Sequence, residues 1–283
     1  MNDHDHELRQ AEAGDVGPRI SQGERAVPSR RSRGLSVRAI VPNAITAAAL
    51  CFGLTGIRFA TDGAWGQAVL AVVLAGLLDG IDGRIARLLK AQSRFGAELD
   101  SLADSLSFGV APALIIFLWS LQDLPRIGWF AALALALCCM LRLARFNAQI
   151  DEEEQPHKSA GFLTGVPAPV GAGLAFLPLY LWMAFGEPLF REPVLVALWI
   201  VAIAFLMISN LATLSWAALK PRRSIRIELI ALLGIMSAAA LLEPWFTLVA
   251  VCAIYLALLP YGFIRYRKVK QAQLNASDRG ARA

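Results

Sequence analysis

Four aspartates, Asp79, Asp82, Asp100 and Asp104, fall within residues 78–104 of a chain that is otherwise overwhelmingly apolar. Asp79 and Asp82 are three positions apart and Asp100 and Asp104 four, so on helices each pair shares one face. Clustered carboxylates repel one another strongly unless cations sit between them, and oxygen-only donors suit hard divalent ions such as Mg2+ or Mn2+. Gly83 and Arg87 extend the Asp79 face at four-residue steps. The chemistry this pattern points to is a metal site at the membrane surface, with Arg87 carrying a planar donor fork suited to a phosphate or a base. Gly83 and Gly96 remove side chains where backbone must approach a ligand or a neighbouring helix, and Ala86 is a smallness requirement of the same sort. The competing reading is a solvated helix–loop–helix whose carboxylates pair with Arg84, Arg87 and Arg94. It would not call for glycines at these positions.

The elements that must hold these residues are membrane helices. Of the 283 residues, 57% are hydrophobic and only 17% charged, the mean hydropathy is +0.53, and apolar runs near the roughly 20 residues needed to span a bilayer recur from residue 40 to 264. The expected fold is an all-α polytopic membrane protein. Eight spans are expected, over residues 40–60, 65–83, 99–119, 127–147, 165–185, 194–216, 227–242 and 245–264. Residues 1–37 read as a disordered tail, 38–264 as one transmembrane catalytic domain, and 265–283 as a basic tail. No cleavable signal peptide is visible at the polar N-terminus. Of 27 basic residues, only Arg58, Arg126 and Arg191 fall in one set of loops. By the positive-inside rule both tails and the carboxylates then face the cytoplasm.

The rest of the chain is plainer. The four cysteines, Cys51, Cys138, Cys139 and Cys252, lie in apolar runs without metal-ligand spacing and read as small buried hydrophobes. Trp119, Trp129, Trp182 and Trp245 stand near span ends and read as an interfacial belt. The acidic run 151–154 reads as a loop tip, and the basic run 220–226 as a positive-inside loop. No nucleic-acid partner is expected.

Written out, the central stretch is Asp79-x-x-Asp82-Gly83-x-x-Ala86-Arg87, eight residues, then Gly96-x-x-x-Asp100-x-x-x-Asp104. This resembles the signature of the CDP-alcohol phosphotransferase family at every signature position. The resemblance implies a core of six membrane helices with about two more at the C-terminal end, two divalent ions, a homodimer, and a nucleotide–pyrophosphate donor in a polar cavity open to the cytoplasm. It makes Asp79, Asp82 and Asp100 the main metal ligands. It makes Asp104 the residue that takes the acceptor's proton while also touching a metal.

Further segments bear on the acceptor alcohol. Pro42 to Thr46, Ser107 to Pro112, Arg142 to Asn147 and Phe162 to Pro169 are similar to the bacterial and archaeal membrane-integral phosphatidylserine synthases within that family. This implies CDP-diacylglycerol and L-serine as substrates at the inner (cytoplasmic) membrane of a bacterium. Arg142 and Arg145, three apart on one helix face with Asn147 beside them, are candidates for serine's carboxylate. Their alternative role is to snorkel to the interface. Asn43 and Thr46 are candidates for the pyrophosphate or cytidine, with capping of the first helix as the alternative. Glycerol 3-phosphate, inositol phosphate or choline as acceptor, and a transporter or divalent-cation channel as a different class, complete the expectations.

Overall fold

The computed structural model describes residues 37–148, 162–209, 212–214 and 226–259. The two tails, the acidic run 151–154 and the start of the basic run, 220–225, lie outside the described residues. The described chain is helical apart from one two-stranded antiparallel ribbon, β1 (Phe162–Thr164) with β2 (Ala212–Leu214). Three helical segments, Ile40–Thr61, Arg94–Trp119 and Pro125–Ala148, are long and apolar enough to cross a membrane, and a bent pair makes a fourth. The protein is an all-α membrane protein.

Helices α1 (Val37–Thr61) and α2 (Trp65–Leu88) form a hairpin closed at Gly63, whose φ of 71° supplies the left-handed residue the turn requires. They meet through small residues. Ala49, Gly56 and Ala60 are buried on α1 and Ala68, Ala71 and Ala75 on α2, and the approach is close at Gly56, where a Cβ would lie 3.0 Å from Ala68 O. In a bilayer such close backbone approach replaces the hydrophobic effect as the main source of helix association.

After α2 the chain reverses at Lys90, which adopts φ 49° while Ala91 N–H donates to Ala86 O at 2.9 Å. Ser93 then caps α3 (Arg94–Asp104), its Oγ accepting from Gly96 N–H at 3.0 Å. Beyond Asp104 the helix widens into a π-helical turn, Ser105–Val110, before α4 (Ala111–Trp119). Pro112 explains the widening. It has no N–H for the carbonyl four residues back, and the preceding Ala111 N–H reaches Leu106 O instead. This turn is held tightly on two sides: a Cβ on Gly53 of α1 would lie 2.9 Å from Ser107 Cα, and one on Gly109 would lie 3.2 Å from Cys139 Cβ.

α5 (Pro125–Ala148) packs on α8 (Pro193–Ile208), burying Leu135 and Cys139 with Ile200, Ile203 and Met207. Between them run α6 (Ala168–Ala175) and α7 (Leu177–Phe185), bent by 41°. The expected single span 165–185 is thus broken, because Pro178 cannot donate to Leu174 O. Trp199 Nε1 donates to that carbonyl instead, at 2.8 Å. The expected span 194–216 is also shorter: its helix ends at Ile208, Ser209 turns extended with ψ 151°, and residues 212–214 pair with 162–164. α9 (Arg226–Leu242) and α10 (Pro244–Leu259) complete the described chain.

Two smaller expectations are corrected. Trp119 belongs to the core (1% exposed), not to an interfacial belt. Its ring pairs with Trp182 at 5.9 Å, and Arg191 donates from Nε to its carbonyl at 3.0 Å while stacking near both rings. Cys51 is exposed rather than buried.

Candidate active site

The hairpin and the reversal at Lys90 bring the two acidic pairs together. Asp79 and Asp82 lie near the end of α2, and Asp100 and Asp104 near the end of α3. One carboxylate oxygen from each of Asp79, Asp82 and Asp100 lies within 4.8 Å of the others. Asp104 stands outside that trio, within hydrogen-bonding reach of Asp79. Among the described residues no lysine or arginine forms an ion pair with any of the four. The competing reading, carboxylates neutralised by Arg84, Arg87 and Arg94, is therefore not what the fold builds. Three convergent carboxylate oxygens without a protein cation fit a hard divalent ion.

Asp82 is 4% exposed, and Thr46 of α1 supports it. The Thr46 hydroxyl lies 2.7 Å from Asp82 Oδ2 and 3.1 Å from Pro42 O, so its one proton is shared between a carboxylate and its own helix. Asn43 and Thr46 lie well inside α1, which begins at Val37. Capping of that helix is therefore not their role.

Beside the trio is a cavity of about 730 Å3. All six residues expected to contact the donor line it: Asn43, Thr46, Gly83, Ala86, Arg87 and Gly96. Asp82 and Asp100 are also in its wall. The two glycines serve different ends. A Cβ at Gly83 would meet nothing within 4 Å, so its backbone faces open cavity. A Cβ at Gly96 would lie 2.9 Å from Asn43 Oδ1, so that glycine admits a side chain of α1. Arg87 is exposed and lines the cavity, its Nε donating to Gly83 O at 3.0 Å.

The residues expected at the acceptor are arranged differently. Arg142, Arg145 and Asn147 do not line this cavity. Asn147 Nδ2 donates to Ser101 Oγ at 2.8 Å, which ties α5 to α3 between Asp100 and Asp104. Arg145 Nη1 donates to Ile208 O at 3.4 Å, at the open end of α8. Arg142 is half-buried within electrostatic reach of Asp104, and its Nε has no partner among the described residues.

Sequence reasoning passed over Ser93, Ser101 and Phe146. Ser93 and Phe146 line the cavity, and Ser101 takes the Asn147 bond. Ser93, placed three residues before Gly96 at the head of a helical run, carries a legible N-cap signal. Ser101 and Phe146 carry none.

Comparison with known proteins agrees with this geometry. A family model described as CDP-alcohol phosphatidyltransferase matches residues 39–208, and one described as CDP-alcohol phosphatidyltransferase 2 matches residues 224–260. The chain is 37% identical over 242 residues to a Mycobacterium tuberculosis protein named CDP-diacylglycerol–serine O-phosphatidyltransferase, covering 86% of this chain and 84% of that one. Proteins of the same name from Helicobacter pylori (34% over 172 residues, 61% of this chain and 70% of that one) and Saccharomyces cerevisiae (42% over 109 residues, 36% and 37%) are also similar. The first match takes in the hairpin, the reversal and both acidic pairs, and with them the whole cavity: the chain belongs to the CDP-alcohol phosphatidyltransferase family.

Proposed function

We propose that this protein transfers the phosphatidyl group of CDP-diacylglycerol to the hydroxyl of L-serine, giving phosphatidylserine and CMP. The observation that carries the chemistry is the convergence of Asp79, Asp82 and Asp100, two of which, Asp82 and Asp100, stand in the wall of the cavity, with Asp104 alongside. The choice of serine is supported by the names of the relatives.

In this reading Asp79, Asp82 and Asp100 hold Mg2+ or Mn2+, with Asp104 at the edge of the set; two such ions, when bound, neutralise charge on the pyrophosphate and on the departing CMP. Asn43, Thr46, Ala86 and Arg87 line the donor's nucleotide end, Gly83 leaves room for it, and Gly96 makes room for the Asn43 side chain beside it. Asp104 accepts the proton of the serine hydroxyl, and like charges nearby make a carboxylate a better base. The serine oxygen bonds to the phosphorus that carries diacylglycerol. The bond from that phosphorus to the bridging oxygen breaks, and CMP leaves with the electron pair. The proton on Asp104 passes to solvent. Arg142 offers serine's carboxylate a cationic partner, while Arg145 and Asn147 brace the helices around it.

A bilayer location suits a donor whose acyl chains stay in lipid while its headgroup reaches water. We read residues 38–264 as one transmembrane domain of about eight helices in the bacterial inner membrane, with the cavity and both tails cytoplasmic. The distribution of basic residues supports that orientation. A homodimer follows from the family resemblance alone.

The test is CMP release by purified protein in detergent with CDP-diacylglycerol, Mn2+ or Mg2+, and each candidate alcohol separately. Serine-dependent release should vanish with EDTA and fall about 100- to 10,000-fold in Asp104→Asn. Release with glycerol 3-phosphate, inositol phosphate or choline instead would discard serine and keep the mechanism. No release from folded protein with any alcohol would discard both.

A further inference from the structure

We propose that Tyr255, on α10, joins Arg142 in a subsite that recognises the carboxylate of the acceptor alcohol on the side of Asp104 away from the nucleotide cavity. The inference rests on the serine reading above and adds a specificity determinant from outside the part of the chain that carries the acidic signature. Tyr255 falls in residues 224–260, matched by the second family model, and not in 39–208.

Two orphaned donors carry the proposal. Tyr255 Oη and Arg142 Nε are both shielded from solvent, and neither has a hydrogen-bond partner among the described residues. A buried polar group left unpaired is costly, and it is retained where something else completes it. Arg142 and Tyr255 lie within electrostatic reach of each other, and Arg142 is also within reach of Asp104. The guanidinium can only donate and the phenol readily donates, so their common complement is an acceptor, best an anionic one. A ligand whose carboxylate meets both while its hydroxyl approaches Asp104 is a small hydroxy acid, the class to which serine belongs. Neither group lines the cavity that holds Asn43, Gly83 and Arg87, so this subsite is separate from the nucleotide end of the site.

Tyr255 is held firmly enough to serve as a determinant. α10 buries a stripe at helical spacing, in which Trp245 packs against Gly66 and Cys252 Sγ lies 3.7 Å from Gly173 O. Tyr255 follows Cys252 by three residues, one turn further along the same face.

The test uses the full chain in detergent with CDP-diacylglycerol and Mn2+, comparing wild type, Tyr255→Phe and Cys252→Ala. Serinamide, which keeps the hydroxyl and amine but lacks the carboxylate, serves as a competitor. Tyr255→Phe should raise the KM for serine by about tenfold or more, the usual effect of deleting a hydrogen bond to a charged group. The KM for CDP-diacylglycerol and the inhibition constant of serinamide should stay within about twofold of wild type, well below that effect. Its Tm should hold or rise, since an unpaired buried hydroxyl has been removed. A purely structural Tyr255 predicts the opposite: a lower Tm and a similar serine KM shift in Cys252→Ala. That result, an unchanged serine KM in Tyr255→Phe, or an equal shift for serinamide would each overturn the subsite. Wild-type protein that releases CMP only with another alcohol would overturn the serine reading itself, a distinct outcome.

Discussion

Gly83→Ala separates a glycine kept for a ligand from one kept for packing. Gly83 lies inside α2, and a Cβ there meets no protein atom within 4 Å. Replacing a helix-interior glycine by alanine with no steric opposition should stabilise the free protein by about 0.5–1 kcal/mol. For a chain of this size that is a Tm increase of about 1–4 °C. The same methyl projects into the cavity of about 730 Å3 that the nucleotide is proposed to fill. Overpacking a fitted ligand costs about 1–3 kcal/mol, which corresponds to a rise of about 5- to 150-fold in the KM for CDP-diacylglycerol. Gly96→Ala is the control, because its Cβ would lie 2.9 Å from Asn43 Oδ1 and 3.2 Å from Ser93 Oγ. There the helical gain is opposed by overpacking, and the expected net runs from near zero to about 2 kcal/mol destabilising. The assay pairs thermal unfolding of substrate-free protein with steady-state CMP release. A Gly83→Ala protein that is more stable and keeps the wild-type KM would show that no substrate lies along this stretch of α2. One that is less stable would show that the glycine serves the fold.

Thr46→Val keeps the shape of the side chain and removes the hydroxyl 2.7 Å from Asp82 Oδ2. The Mn2+ concentration for half-maximal activity should rise by about 10- to 100-fold, as is usual when a ligand's supporting hydrogen bond is lost; an unchanged metal titration would refute the role given to Thr46. Gly53→Ala puts a methyl 2.9 Å from Ser107 Cα, a backbone atom that cannot swing away. Destabilisation of about 1–3 kcal/mol is expected, visible as a Tm loss of about 2–12 °C, and a wild-type melting curve would contradict the close approach of α1 to the π-helical turn.

What the sequence made legible was whatever repeats along one helix. The spacings of Asp79 with Asp82 and of Asp100 with Asp104 put each pair on one face, and the fold needed only the reversal at Lys90 to join them. What stayed hidden was contact between helices. Thr46 and Asp82 are 36 residues apart, and Asn147 and Ser101 are 46 apart, separations with no periodic signature. Hydropathy also carried the sixth span through residue 216, although the helix stops at Ile208, because β2 is as apolar as a helix end and only the backbone turn at Ser209 distinguishes them. The glycines make the limit plainest. Gly53, Gly83 and Gly96 are one residue type in similar helical settings, yet one admits a backbone, one faces a cavity, and one admits an asparagine side chain. Small residues in membrane helices serve association as readily as ligand approach, so the reason for each glycine rests on its neighbour across the interface, which the fold supplies.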